Sequence, residues 1–127
     1  MSARRTATVN TLDQGPVTVP CPSWCLGVHE DGLLLVDLAH VGPETALTVS
    51  VPLGTVQLLD AGVCQYPYNS NLSDRGVKLG VLLGLEGWHR LDPGEVYALA
   101  ETLAGRVIEL RVMARRLAEL QRAEGAR

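Results

Sequence analysis

The chain has 127 residues, of which 46% are hydrophobic and 20% charged, and 11 basic against 14 acidic residues give a formal net charge of -3. This composition fits an ordinary globular domain and excludes disorder over the whole chain. The acidic sequence pI of about 5.5 argues against a broad nucleic-acid-binding surface, which normally raises the pI of a domain above roughly 9. With no Phe, the core must be aliphatic, and a bound metal would add to its modest stability.

The apolar segments are too short and too interrupted to span a membrane. Asp37 breaks the run over residues 32–38, and Lys78 lies in the run over residues 77–85, whereas a spanning helix needs about 20 apolar residues. No apolar stretch follows the arginines near the N-terminus, so a secretory signal is not expected. We therefore expect a cytoplasmic protein without a membrane partner.

Hydrophobic periodicity predicts an α+β fold. Residues 1–14 are polar and aperiodic, which predicts a flexible N-terminal arm, and residues 15–127 are expected to form a single domain. In this domain we predict a zinc knuckle and the first strand over 15–43, a small and mostly antiparallel sheet over 44–90 with a loop at 66–76, and a long helix over 91–124. The first strand is expected in the apolar run 32–40, and a half-buried strand in the alternating segment 45–53.

The C-terminal helix has strong local signals. Asp92 suits the N-cap, Pro93 the first helical position, and Glu95 the position that reaches back to the cap. About 30 residues at 1.5 Å each make a helix of roughly 45 Å, whereas a compact chain of this length has a radius of gyration of about 14 Å. We therefore expect a homodimer through the helix, the alternative being a break near Gly105. Apolar residues recur at spacings of three and four, close to heptads, and we call this set the apolar stripe: Val96, Leu99, Leu103, Val107, Leu110, Ala114 and Leu117.

Four residues within twenty positions predict a metal site. Cys21, Cys25, His29 and His40 supply two thiolates and two imidazoles, a common closed quartet for structural zinc. If Pro22 opens a helical turn, Cys25 and His29 project from one face. We expect one Zn²⁺ per chain, held structurally because four protein ligands leave no open position.

The sequence allows several alternatives to this ligand set. One is a disulfide between Cys21 and Cys25, which a reducing cytosol disfavours. Another is a pair of buried thiols beside surface histidines, and an iron–sulfur cluster is a further option. Cys64, in an apolar segment, suits a small buried residue better than a ligand. His89 fits a structural or surface role, or else replaces His40 as the fourth ligand. Trp24 is expected to shield the metal as part of its apolar surroundings.

The segment CPSWCLGVH with the later His40, followed by short strands and by LDPGEVYALAETLA at the helix start, resembles a family of small, functionally uncharacterised proteins from actinobacteria and their phages. The resemblance covers about the first third after the arm and the final third of the chain. It implies Cys and His ligands corresponding to Cys21, Cys25, His29 and His40, with Trp24 beside them. It implies no known activity.

The sequence favours a non-enzymatic zinc-binding interaction or regulatory module with an unknown protein partner, whose recognition surface lies near Trp24, Leu26 and Val28. No nucleophile motif, metalloprotease motif or phosphate-binding loop is present. The first alternative is a nucleic-acid-binding transcriptional regulator, and the lesser one is a zinc-dependent hydrolase with a water on the metal. Nucleic acid would contact the basic helix surface at Arg111, Arg115, Arg116 and Arg122.

Overall fold

The computed structural model describes residues 5–83 and 87–125, which contain two antiparallel sheets and one long helix. The α+β class predicted from the sequence is therefore confirmed. The chain divides into two compact units, Met1–Asp92 and Pro93–Arg127. The sheets lie in the first unit and the helix in the second, since the boundary coincides with the end of the sheet region and the helix start.

The first sheet is a hairpin of β1 (Arg5–Thr11) and β2 (Gly15–Cys21). Residues 1–14 were expected to be an irregular arm, but residues 5–11 form a strand. Thr and Val are good strand formers, and every second residue near the end of β1 turns inward, so that Val9 and Thr11 are buried. Gly15 has φ +64° and closes the turn, a conformation that glycine adopts without steric cost.

The segment after the knuckle is not the predicted first strand. In the run 32–40, residues Leu35–Asp37 form a short 3₁₀ helix, and regular pairing begins only at His40. Local hydrogen bonds explain the difference: Leu12 N–H donates to Leu33 O at 2.9 Å, and Leu35 N–H donates to Asp13 Oδ1 at 3.0 Å. These bonds hold the segment on the β1–β2 turn. Its apolar side chains then complete the small core, in which Val9, Val19 and Leu38 are buried and Ala7, Val17, Leu35 and Tyr68 are partly buried.

The second sheet is an antiparallel meander in the order β3-β4-β5-β6. Its strands are β3 (His40–Val51), β4 (Gly54–Gln65), β5 (Lys78–Leu83) and β6 (Trp88–Leu91). The predicted loop at 66–76 is present between β4 and β5 and contains a 3₁₀ turn at Leu72–Asp74. Pro43 lies where the β3–β4 register shifts, which suits a residue that cannot donate to a ladder.

The outer half of the β3–β4 hairpin carries more exposed apolar surface than expected. In the predicted strand segment 45–53, residues 45–51 belong to β3 and residues 52–53 form the turn to β4. The strand is not half-buried as predicted. Leu47 is 49% exposed and Val51 is 41% exposed. The prediction of a strand is therefore confirmed, whereas the prediction that it is half-buried is wrong for the described residues.

The second unit is helix α1 (Pro93–Gly125). Its ends agree with the predicted start after Asp92 and the predicted end near Gly125. The helix continues through Gly105, so the alternative of a break there is wrong. Its 33 residues correspond to about 50 Å at 1.5 Å per residue. No helix in the described part of the chain is long and apolar enough to cross a membrane.

Candidate metal centre

The four predicted ligands come together in the structure. One ligand atom from each of Cys21, Cys25, His29 and His40 lies within 4.8 Å of the other three. Cys21 is the last residue of β2 and His40 is the first residue of β3. The other two lie in the irregular segment between these strands. The centre therefore joins the two sheets of the first unit.

A tight turn and a glycine shape the loop that carries Cys25. Pro22 follows the last residue of β2, and its carbonyl accepts from Cys25 N–H at 3.0 Å. This hydrogen bond closes a β-turn. The prediction of a helical turn that opens at Pro22 is therefore wrong. Gly27 follows with φ +77°, a left-handed conformation that favours glycine. Its N–H donates to Cys25 Sγ at 3.3 Å, so the loop directs a backbone dipole at a sulfur ligand.

The distances fit a tetrahedral zinc site. With bonds of about 2.3 Å to sulfur and about 2.0–2.1 Å to nitrogen, a regular tetrahedron has sulfur–nitrogen edges of about 3.5 Å. His29 Nε2 lies 3.4 Å from Cys21 Sγ and 3.8 Å from Cys25 Sγ. The donor set of two soft sulfurs and two imidazoles also suits zinc. The residues present therefore fit this ion, and all four would hold it.

Burial shifts the pKa of two of the four grouped side chains, Cys21 and His40. The pKa of the Cys21 thiol is raised by burial and by the neighbouring Cys25, while the charge of Arg5 acts in the opposite direction. The pKa of His40 is lowered by burial and then by the charge of His29. His40 therefore stays neutral at pH 7 and keeps a lone pair for a metal. A bound cation would favour the thiolate of Cys21.

Two ring nitrogens in the centre are buried without a hydrogen-bond partner among the described residues. They are His29 Nδ1 and His40 Nδ1. The two rings meet edge to face with centroids 5.3 Å apart. Unpaired buried polar atoms are costly. An ordered water on His29 Nδ1, whose ring turns Nε2 to the sulfurs, and a water or a metal on His40 Nδ1 would remove that cost.

Trp24 lies against the centre, as predicted. Its ring meets the His40 ring edge to face at a centroid distance of 6.4 Å. Gly42 gives it room, because a Cβ there would lie 3.4 Å from Trp24 Cε3 and 3.3 Å from Trp24 O. Trp24 thus covers one side of His40, and apolar cover of this kind limits the access of water to a metal.

Cys64 and His89 lie outside the cluster. Cys64 is a buried free thiol in β4, where burial raises its pKa. Its sulfur contacts the β5 backbone, since a Cβ on Gly80 would lie 3.2 Å from it. His89 is exposed in β6. Neither residue replaces one of the four grouped ligands, so the alternative with His89 as fourth ligand is not supported.

The arginines proposed for nucleic acid form part of the exposed surface of α1. Arg111, Arg115, Arg116 and Arg122 are all exposed. Arg116 Nη1 lies 3.7 Å from Glu119 Oε2, and Arg106 pairs with Glu109 about three turns earlier. Acidic partners thus neutralise part of the basic surface.

Sequence reasoning missed one charged residue at the centre, Arg5. It pairs with Cys21 in the β1–β2 ladder, and its guanidinium contacts the loop at Gly27. Because residues 1–14 were expected to form an arm, no sequence signal placed Arg5 near the metal ligands. Only the register of the hairpin shows it.

The fold and the centre define a class: a small α+β protein with a two-cysteine, two-histidine cluster between its sheets and a long C-terminal helix. The chain belongs to the family described as a domain of unknown function, DUF6907, whose model matches residues 6–119. This match confirms the resemblance to an uncharacterised family. No curated protein and no solved structure matches the chain.

Proposed function

We propose that this protein is a non-enzymatic zinc-binding interaction module. The observation that carries the proposal is the convergence of Cys21, Cys25, His29 and His40 to within 4.8 Å. Four protein ligands complete a tetrahedron and leave no position for a reacting water. One Zn²⁺ per chain would fix the loop between β2 and β3. The hydrophobic core against which this loop packs is small.

The recognition surface would lie on the loop that the metal fixes. Leu26 is 54% exposed and Val28 is 74% exposed. Both lie between Cys25 and His29 in the sequence. Leu26 N–H donates to Val41 O at 2.9 Å, which anchors the loop backbone and leaves the side chains outward. Exposed apolar side chains on a rigid loop suit binding to the apolar surface of a protein partner. A regulatory role would follow from the binding of that partner.

We also propose that the protein is a homodimer through α1. The apolar stripe supports this proposal, because Val107 is 47% exposed, Leu110 63% and Leu117 56%. Spacings of three and four residues allow the same face of a second copy to interdigitate. Burial of these side chains would remove apolar surface from water at about 25 cal/mol per Å².

Native mass spectrometry with elemental analysis, on protein purified without a chelator, tests the metal and the dimer in one sample. The expected result is one zinc per chain at the mass of a dimer. Protein that contains zinc as a monomer would contradict the dimer alone. A metal-free chain that does not take up added zinc would contradict the metal centre and with it the proposed module.

Nucleic-acid binding is the second candidate, favoured by the exposure of Arg111, Arg115, Arg116 and Arg122 on one helix. It predicts DNA binding that weakens steeply with salt, because binding releases counterions. Arg115→Glu together with Arg116→Glu would abolish such binding. Wild-type protein that does not shift DNA at low salt would exclude this function.

The zinc hydrolase is the lesser candidate, since it requires one ligand to be replaced by water. X-ray absorption of the zinc-loaded protein separates the two cases. Two sulfur and two nitrogen ligands support the closed structural site. A coordinated oxygen in place of one of them would support a hydrolase.

A further inference from the structure

The first strand places a cation beside the metal centre. Arg5 is the Cα partner of Cys21 in the antiparallel β1–β2 pair. Its side chain extends to the loop between Cys25 and His29. There, Arg5 Nη2 lies 2.7 Å from the position that a Cβ on Gly27 would occupy. The guanidinium therefore lies on the bare backbone of Gly27, in space that any other residue at position 27 would fill.

That backbone is the one that contacts a sulfur ligand. Gly27 N–H donates to Cys25 Sγ at 3.3 Å, and Gly27 itself has a left-handed φ of +77°. A guanidinium is a planar group with fixed donors, and it packs on a flat peptide better than an ammonium does.

We propose that Arg5 is a positioning residue of the metal centre. Its guanidinium holds the Gly27 peptide so that the N–H stays directed at Cys25 Sγ. This inference rests on the proposed zinc site. It also assigns a role to β1: the strand closes the outer side of the metal loop and is part of the metal centre.

Zinc affinity, measured by competition with a chromophoric chelator, tests the proposal in the full-length protein. Outer residues that orient metal ligands change affinity by about 10- to 100-fold. Because Arg5 is exposed, the expected loss for Arg5→Gln is at the lower end, about tenfold. Arg5→Lys, which keeps the charge but loses the planar group, should lose less. The matched control is Arg116→Gln, an exposed arginine on α1, which should leave the affinity unchanged.

A second measurement separates positioning from a general effect on folding. Denaturant unfolding of wild type and Arg5→Gln is followed with and without zinc. If Arg5 positions the centre, the variant loses more stability with zinc than without it, by the amount that matches its loss of affinity. In the cobalt-loaded protein, the sulfur-to-cobalt charge-transfer band should shift in Arg5→Gln and not in Arg116→Gln.

Equal zinc affinities of wild type and Arg5→Gln would overturn this inference and leave the zinc site intact. Equal losses of stability with and without zinc would also overturn it, because they would assign Arg5 to the hairpin alone. A wild-type protein that binds no zinc would instead overturn the proposed function, and the role of Arg5 with it.

Discussion

At the scale of single residues, the structure separates three cysteines into two kinds. Cys21 and Cys25 lie in the cluster with two histidines, whereas Cys64 lies in β4 outside it. Both Cys25 and Cys64 are buried, so burial alone does not distinguish a ligand from a packed thiol. The distinction comes from neighbours: Cys25 Sγ lies 3.8 Å from His29 Nε2 and accepts from Gly27 N–H.

The two buried cysteines therefore make a matched pair for substitution. We expect Cys25→Ser to lose zinc, because the hydroxyl is a poor ligand for this ion in place of a thiolate. With free zinc at about 1,000 times the wild-type Kd, the lost binding removes about 4 kcal/mol of stability from the first unit. Elemental analysis and denaturant unfolding measure both effects. Cys64→Ser is the control and should retain one zinc per chain. Full zinc content in Cys25→Ser would contradict the ligand assignment.

Gly27 carries a second prediction at this scale. An alanine there would be held at φ +77°, and its Cβ would lie 2.7 Å from Arg5 Nη2. The left-handed conformation costs a residue with a Cβ about 1–2 kcal/mol, and we expect Gly27→Ala to lower the free energy of unfolding of the zinc-loaded protein by about that amount. Gly105→Ala is the matched control. It lies within α1 with open space around it, and the same substitution there should stabilise the helix by about 0.5–1 kcal/mol. A loss of stability in both variants, or in neither, would contradict the idea that backbone strain at position 27 lowers the free energy of unfolding.

At the scale of elements, local sequence predicted what local interactions determine. The helix begins after Asp92 because Pro93 cannot donate and fits the first turn, and the observed helix Pro93–Gly125 agrees with that signal. The grouping of Cys21, Cys25, His29 and His40 was also predictable, since these four chemically matched residues lie within one short segment. The strand alternation around Leu47 was read correctly for the same reason.

Elements that depend on distant partners were not predictable in this way. The strand β1 exists through its pairing with β2, and its own residues are mostly polar. The run 32–40 has the composition of a strand, yet Asp13 and Asn10 bind its backbone from the hairpin. Arg5 was missed because its approach to Gly27 is a consequence of the β1–β2 register. Burial of Leu47 was overestimated because alternation indicates an apolar face without showing what covers it.

The apolar stripe of α1 gives a prediction at the element scale. Leu110→Glu with Leu117→Glu places charges in the proposed helix–helix contact, and we expect the dimer Kd to rise by at least about a hundred-fold, which corresponds to about 2.8 kcal/mol. Sedimentation velocity measures the change. Ile108→Glu with Val112→Glu is the matched control, because these residues are similarly exposed, at 64% and 53%, and lie off the stripe. Equal weakening by both pairs would contradict dimerisation through the stripe.

At the scale of the whole molecule, a bound metal would compensate for a small hydrophobic core. Among the described residues of the first unit, Val9, Val19 and Leu38 form the buried hydrophobic cluster. The four grouped side chains connect the end of β2 to the start of β3, so a metal held there would link the two sheets by bonds that the apolar contacts do not supply. Zinc binding and folding of residues 5–92 are therefore expected to be coupled.

This coupling predicts how the stability of the protein depends on pH. Zinc takes thiolates and neutral imidazoles, so binding releases the protons that the free ligands carry. The pKa of Cys21 is raised above its ordinary value of 9.0, which means that this thiol is protonated at pH 7 and loses a proton to the metal. The pKa of His40 is lowered from 6.5, so protons compete little with the metal for this imidazole until the pH falls below 6.5. The affinity should accordingly rise with pH, and the zinc-dependent part of the stability should be lost as the solution is acidified.

Chelator competition between about pH 6.5 and about pH 8 measures this dependence. With two thiol protons released per zinc, the apparent affinity should change about a hundred-fold per pH unit. Cys64→Ser should show the same slope, because Cys64 lies outside the cluster. A slope near tenfold per unit would mean that only one protonated thiol binds the metal. An affinity independent of pH would contradict thiolate ligation, and with it the idea that zinc joins the two sheets of this protein through Cys21 of β2 and His40 of β3.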